Sequence, residues 1–66
     1  MKLNQRKRMY IYPKDVERIT GRKPAYCRNL ITMIRLYYGK RKHQGVTVAE
    51  YCEYMNVSRE EIEAYL

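Results

Sequence analysis

Arg28, Asn29, Thr32 and Arg35 stand at helical spacing within Pro24–Tyr38, and no acidic residue lies among them. Side chains of these types can read base-pair edges, arginine bonding guanine and asparagine bonding adenine through two contacts each. A helix that enters a DNA groove usually makes such contacts with its first half, which is where Arg28, Asn29 and Thr32 fall. Arg22, Lys23, Arg35, Lys40, Arg41 and Lys42 surround them as charges for phosphates, contacts that position a protein without specifying sequence. Arg6, Lys7 and Arg8 form a further cluster, suited to a minor groove or a phosphate, or simply to a solvated terminus. The chemistry on offer is recognition of a polyanion, with DNA as the expected partner and RNA as an alternative that basic residues alone do not separate.

The charge distribution points the same way. The net charge is +7, but residues 1–45 carry +11 and residues 46–66 carry −4. A basic front and an acidic back fit a protein that meets a polyanion with one side.

The elements that must position these residues follow from periodicity and caps. In Pro24–Tyr38, Cys27, Leu30, Ile31, Ile34 and Tyr38 form an apolar stripe at helical spacing. Pro24 suits a first helical position and Gly39 a left-handed cap. A shorter helix is expected over Pro13–Thr20, with Asp15 in its first turn and Val16, Ile19 and, one turn earlier, Tyr12 facing inward. Thr20-Gly21-Arg22-Lys23 reads as the tight turn of a helix-turn-helix, which makes Pro24–Tyr38 a candidate recognition helix. Thr47–Glu50 and Ser58–Glu61 are capping boxes that open two more helices. The first carries Val48, Tyr51, Cys52 and Met55 inward and ends at Asn56, and the second carries Ile62, Tyr65 and Leu66 inward. Met9–Tyr12 is β-prone and reads as a short strand or an extended lead-in.

The expected fold is therefore all-α, a small bundle of four helices built as two helix-turn-helix-like pairs, with an optional short N-terminal strand. The expected organisation is a basic arm over 1–12 and one helical domain over 13–66, divided into a helix pair at 13–39, a basic loop at 40–46 and a second pair at 47–66. The two pairs also repeat. A shift of thirty-five residues lays Val16 on Tyr51, Ile19 on Tyr54, Gly21 on Asn56, Cys27 on Ile62, Leu30 on Tyr65 and Ile31 on Leu66. A duplication and two helix pairs obeying the same physics both produce this pattern. The second pair bears glutamates where the first bears arginines, so phosphate would repel it.

Tyr12–Gly21, Lys42–Gln44 and Val46–Tyr54 resemble a set of short bacterial proteins without an assigned activity, over about Ile11 to Leu66. Separately, Thr47–Ile62 resembles the helix-turn-helix pattern of excisionase-like and resolvase-like regulators. It departs from that pattern at Glu60 and Glu61, which stand where a DNA reader has neutral or basic residues. The resemblance thus implies a helix-turn-helix architecture and leaves the first pair as the candidate reader.

Other classes have less support. No Ser/His/Asp or Cys/His set and no phosphate-cradling glycine loop is present, so an enzyme is not expected. Cys27 and Cys52 each sit in an apolar stripe and read as free, buried thiols. His43 is the one histidine and reads as an exposed loop residue, so no metal or other cofactor is expected. No apolar run has the length of a membrane span, and the basic N-terminus lacks the apolar core of a signal peptide, which together predict a cytoplasmic protein. Tyr26, Met33, Leu36 and Tyr37 lie off the main stripe and would give the long helix a second apolar face. They define the alternative function, a homodimerisation or protein-interaction module without nucleic-acid binding.

Overall fold

The computed structural model describes residues 8–66. The first seven residues of the expected basic arm, with Arg6 and Lys7, lie outside them. In chain order the elements are β1 (Tyr10–Ile11), α1 (Pro13–Thr20), α2 (Pro24–Tyr37), β2 (Val46–Thr47), α3 (Val48–Met55) and α4 (Arg59–Glu63). The protein is mostly helical, but a small antiparallel sheet joins its two halves.

The helix ends form where local chemistry places them. Pro13 and Pro24 open α1 and α2. Thr47 Oγ1 accepts the Glu50 amide at 3.0 Å while Glu50 Oε1 accepts the Thr47 amide at 2.9 Å. Ser58 and Glu61 make the same reciprocal pair at 3.1 and 3.0 Å. Gly21 and Asn56 close α1 and α3 in the left-handed region, at φ 72° and 59°. A glycine and an asparagine are the residues that reach this region at least cost, and they are the two turn positions that the thirty-five-residue shift superposes.

The buried core consists of Ile11, Val16, Cys27, Leu30, Ile31, Ile34, Val46, Val48, Tyr51, Cys52 and Ile62. Every element contributes to it, including both strands. Cys27 and Cys52 are free and buried, and burial pushes the Cys52 thiol up from its ordinary value.

The helical class is as expected, and the optional N-terminal strand is β1, which pairs with β2 so that Tyr10 faces Thr47 and Ile11 faces Val46. Three expectations need correction. Val46 is not the end of a basic loop but a strand residue buried in the core. Tyr12 faces out and is 53% exposed, because it follows Ile11 in an extended segment, where successive side chains take opposite faces. Tyr65 also faces out, because α4 ends at Glu63. Ile62 alone seats that helix in the core, with Leu66 half-buried against it.

Asp15 ties the start of the described chain to α1. Its carboxylate accepts the Tyr12 amide at 2.9 Å, a fork from Arg8 at 3.1 and 2.8 Å, and Arg18 Nη1 at 3.2 Å. Burial alone would raise its pKa, but these donors together hold it below the ordinary 3.8. Arg59 closes the opposite end of the chain onto the same place, donating to Glu63 and to the Arg8 carbonyl. Residues 8–12, part of the expected arm, are thereby built into the domain.

Candidate nucleic-acid interface

Helical spacing puts Arg28, Thr32 and Arg35 in one row along α2, at i, i+4 and i+7. The adjoining face of α2 is anchored in the core by Cys27, Leu30, Ile31 and Ile34, so the row runs along the flank of the helix, with Arg28 and Thr32 exposed and Arg35 half-buried. Gly39, at φ 67°, then turns the chain back. The loop that follows brings Lys42, His43 and Gln44 beside the row. A cleft of about 360 Å³ is lined by Arg28, Ile31, Thr32 and Arg35 of α2, by residues 42–46 of the loop and β2, and by Ile11, Tyr12 and Pro13.

A second cleft of about 560 Å³ adjoins it, lined by Tyr10, Tyr12, Lys40 and residues 43–45. The two share Tyr12, His43, Gln44 and Gly45 as lining residues. Gly45 has a specific part in the second cleft. A Cβ there would lie 3.0 Å from Cδ1 of Tyr10, so the missing side chain lets the tyrosine ring settle against the loop backbone.

The cations of the first two-thirds are not equivalent. Among the described residues, Arg22, Lys23, Arg28, Arg35, Arg41 and Lys42 make no salt bridge, whereas Arg8, Arg18 and Lys40 do. Lys40 donates to the Gly45 carbonyl at 2.9 Å and lies 3.0 Å from Glu50 Oε1. It pins the loop to α3 rather than facing solvent. Burial acts to raise the Glu50 carboxyl, but the Thr47 amide and Lys40 hold it below its ordinary 4.5. Arg8 is likewise committed to Asp15, and its guanidinium carbon lies 5.8 Å from the Tyr12 ring centroid.

The expected contact residues therefore separate into groups. Arg28, Thr32, Arg35 and Lys42 share the cleft. Arg41 is exposed on the same loop. Arg22 and Lys23 lie at the start of α2 beside Tyr26, with the Arg22 guanidinium carbon 3.9 Å from the Tyr26 centroid. Asn29 is exposed, about 100° around the helix from Arg28. Tyr10, Tyr12, His43 and Gln44 were missed as groove residues. The one available signal was the alternation of Tyr10-Ile11-Tyr12, which puts both tyrosines on the face opposite a buried isoleucine.

A separate apolar surface lies farther along α2. Met33, Leu36 and Tyr37 are 55%, 71% and 70% exposed, and Tyr37 packs edge-on against Tyr38 and Tyr54. Tyr26 does not belong with them, being half-buried against the core. Tyr38 donates to Glu53 Oε1 at 3.0 Å, and burial together with that carboxylate pushes its hydroxyl up to about 12.

Among the described residues no cluster of His, Cys, Asp and Glu could hold a metal ion, and no helix is long and apolar enough to cross a membrane. Compared with protein-family models, curated proteins and solved structures, the chain matches none.

Proposed function

We propose that this protein binds nucleic acid, DNA in the first instance, through the outward side of α2 and the loop that follows it. The observation that carries the reading is the convergence of Arg28, Arg35 and Lys42, none of them in a salt bridge among the described residues, on one cleft with the Thr32 hydroxyl. Uncompensated cations held side by side repel one another, and an arriving phosphate relieves that repulsion. The helix-turn-helix-like pairing of α1 with α2 adds support, since a short turn and a core-anchored second helix suit presentation of a basic face. Arg22, Lys23 and Arg41 extend the charge beyond the cleft. Arg8 and Lys40 act instead within the fold.

The test is binding of labelled DNA by Arg28→Ala/Arg35→Ala/Lys42→Ala. All three side chains lie at the surface groove, so the variant should melt like the parent and bind at least about tenfold more weakly, as expected for the loss of several phosphate contacts. Unchanged affinity in the folded variant would contradict the proposal.

The exposure of Met33, Leu36 and Tyr37 favours a second reading, that two copies associate through this face of α2. Light scattering on the parent and on Leu36→Glu decides it. A dimer that the glutamate dissociates supports self-association, and a monomeric parent contradicts it.

A further inference from the structure

We infer that the two adjoining clefts together take a single strand of nucleic acid with its bases unstacked, rather than an intact duplex. The inference rests on the nucleic-acid reading above and specifies which form of the polymer the site accepts.

The first argument is shape. To read a duplex, α2 would have to project into a major groove roughly 12 Å wide, and a helix with its side chains is already about 10–12 Å across. Arg28, Thr32 and Arg35 line a cleft together with residues 42–46, Tyr12 and Pro13. The loop would have to enter the DNA groove together with the helix. A single strand needs no such entry.

The second argument is composition. Surfaces that hold single strands combine cations along the backbone path with aromatic faces on which bases stack. Here Arg28, Arg35 and Lys42 line one cleft, and Tyr10 lines the adjoining one. Tyr12 lines both clefts and is more than half exposed. Arg8, fixed by its fork to Asp15, has its guanidinium carbon 5.8 Å from the Tyr12 ring centroid. Two tyrosines on the outward face of β1 and its extension have no role in the core, which Ile11 fills from the same segment. The shared chemistry is a phosphodiester chain with exposed bases, which single-stranded DNA and RNA both provide.

The experiment compares fluorescence anisotropy of the full chain with labelled oligothymidine, oligouridine and a hairpin duplex at one salt concentration. At least one single strand should bind about tenfold or more tightly than the duplex, and the ratio of the two single strands names the preferred sugar. Tyr12→Leu, which keeps apolar bulk but loses the aromatic face, should weaken single-strand binding about tenfold, while Tyr12→Phe stays within about twofold of the parent. Tyr12 caps α1 through its backbone amide, so both variants should fold, and thermal melts check that they do. His43→Ala and Lys42→Ala, in the loop, provide variants independent of that cap and should also weaken the single strand. Duplex binding equal to or tighter than single-strand binding would overturn the inference and leave the nucleic-acid reading intact. Parental single-strand affinity in Tyr12→Leu would overturn it equally. Failure to bind any of the three probes would contradict the nucleic-acid reading itself.

Discussion

Ile11 and Val46 are partners across the two-stranded sheet and stand thirty-five residues apart, the interval at which the two halves of the chain repeat. An antiparallel pair centred on equivalent residues is what a local two-fold axis between the halves would produce. Each half then runs as strand, helix, left-handed turn, helix. Asp15 and Glu50 occupy the matching third positions of α1 and α3, and each accepts the amide that opens its helix.

Because both members of this central pair are almost wholly buried, truncating one should weaken the union of the halves. Ile11→Ala is expected to cost about 3 kcal/mol, in the range for removing a buried isoleucine side chain. Urea titration followed by circular dichroism measures it. A loss below about 1 kcal/mol would mean that the strands add little to the stability of the helices.

The two capping carboxylates give stability a defined response to acid. Asp15 and Glu50 both have folded-state pKa values below their ordinary 3.8 and 4.5. The unfolded chain therefore takes up protons first as pH falls. Their contribution is complete above those ordinary values and drains away through and below them. The melting temperature should change little from these groups between pH 7 and 5 and fall below about pH 4.5. Asp15→Asn should lower stability at neutral pH by about 2 kcal/mol, having removed the ionised acceptor of several donors, and should show a shallower acid decline. An acid response identical to the parent's would refute the assignment.

Much of the helical fold was legible because its signals are local. Thr47 with Glu50, Ser58 with Glu61, and the turns at Gly21 and Asn56 each complete their chemistry within a few residues. The core stripe of α2 was legible for the same reason. β2 was not, since two residues are too few for a pattern and its partner lies at the other end of the chain. Nor was the groove, which exists because the loop after Gly39 folds back beside α2. Sequence position alone made Lys40 and Lys42 look alike, and only the approach of Glu50 and the Gly45 carbonyl tells them apart.

That difference is itself testable. Lys40→Ala should destabilise the protein by about 1–2 kcal/mol, through loss of two partly buried partners, while leaving the salt dependence of nucleic-acid binding unchanged. Lys42→Ala should do the reverse, retaining stability and reducing the salt dependence. If both substitutions act alike in melts and in binding, the division between structural and ligand-facing lysines fails.

The most direct test of the central claim is the salt dependence of binding to labelled nucleic acid, measured for the parent and for Arg28→Ala, Arg35→Ala and Lys42→Ala singly. The logarithm of affinity should fall linearly with the logarithm of salt concentration, and each substitution should make the slope shallower by about 0.7 for a single strand or about 0.9 for a duplex. Absence of binding at low salt, or slopes that the three substitutions leave unchanged, would contradict the assignment of the α2 cleft as the phosphate-binding surface.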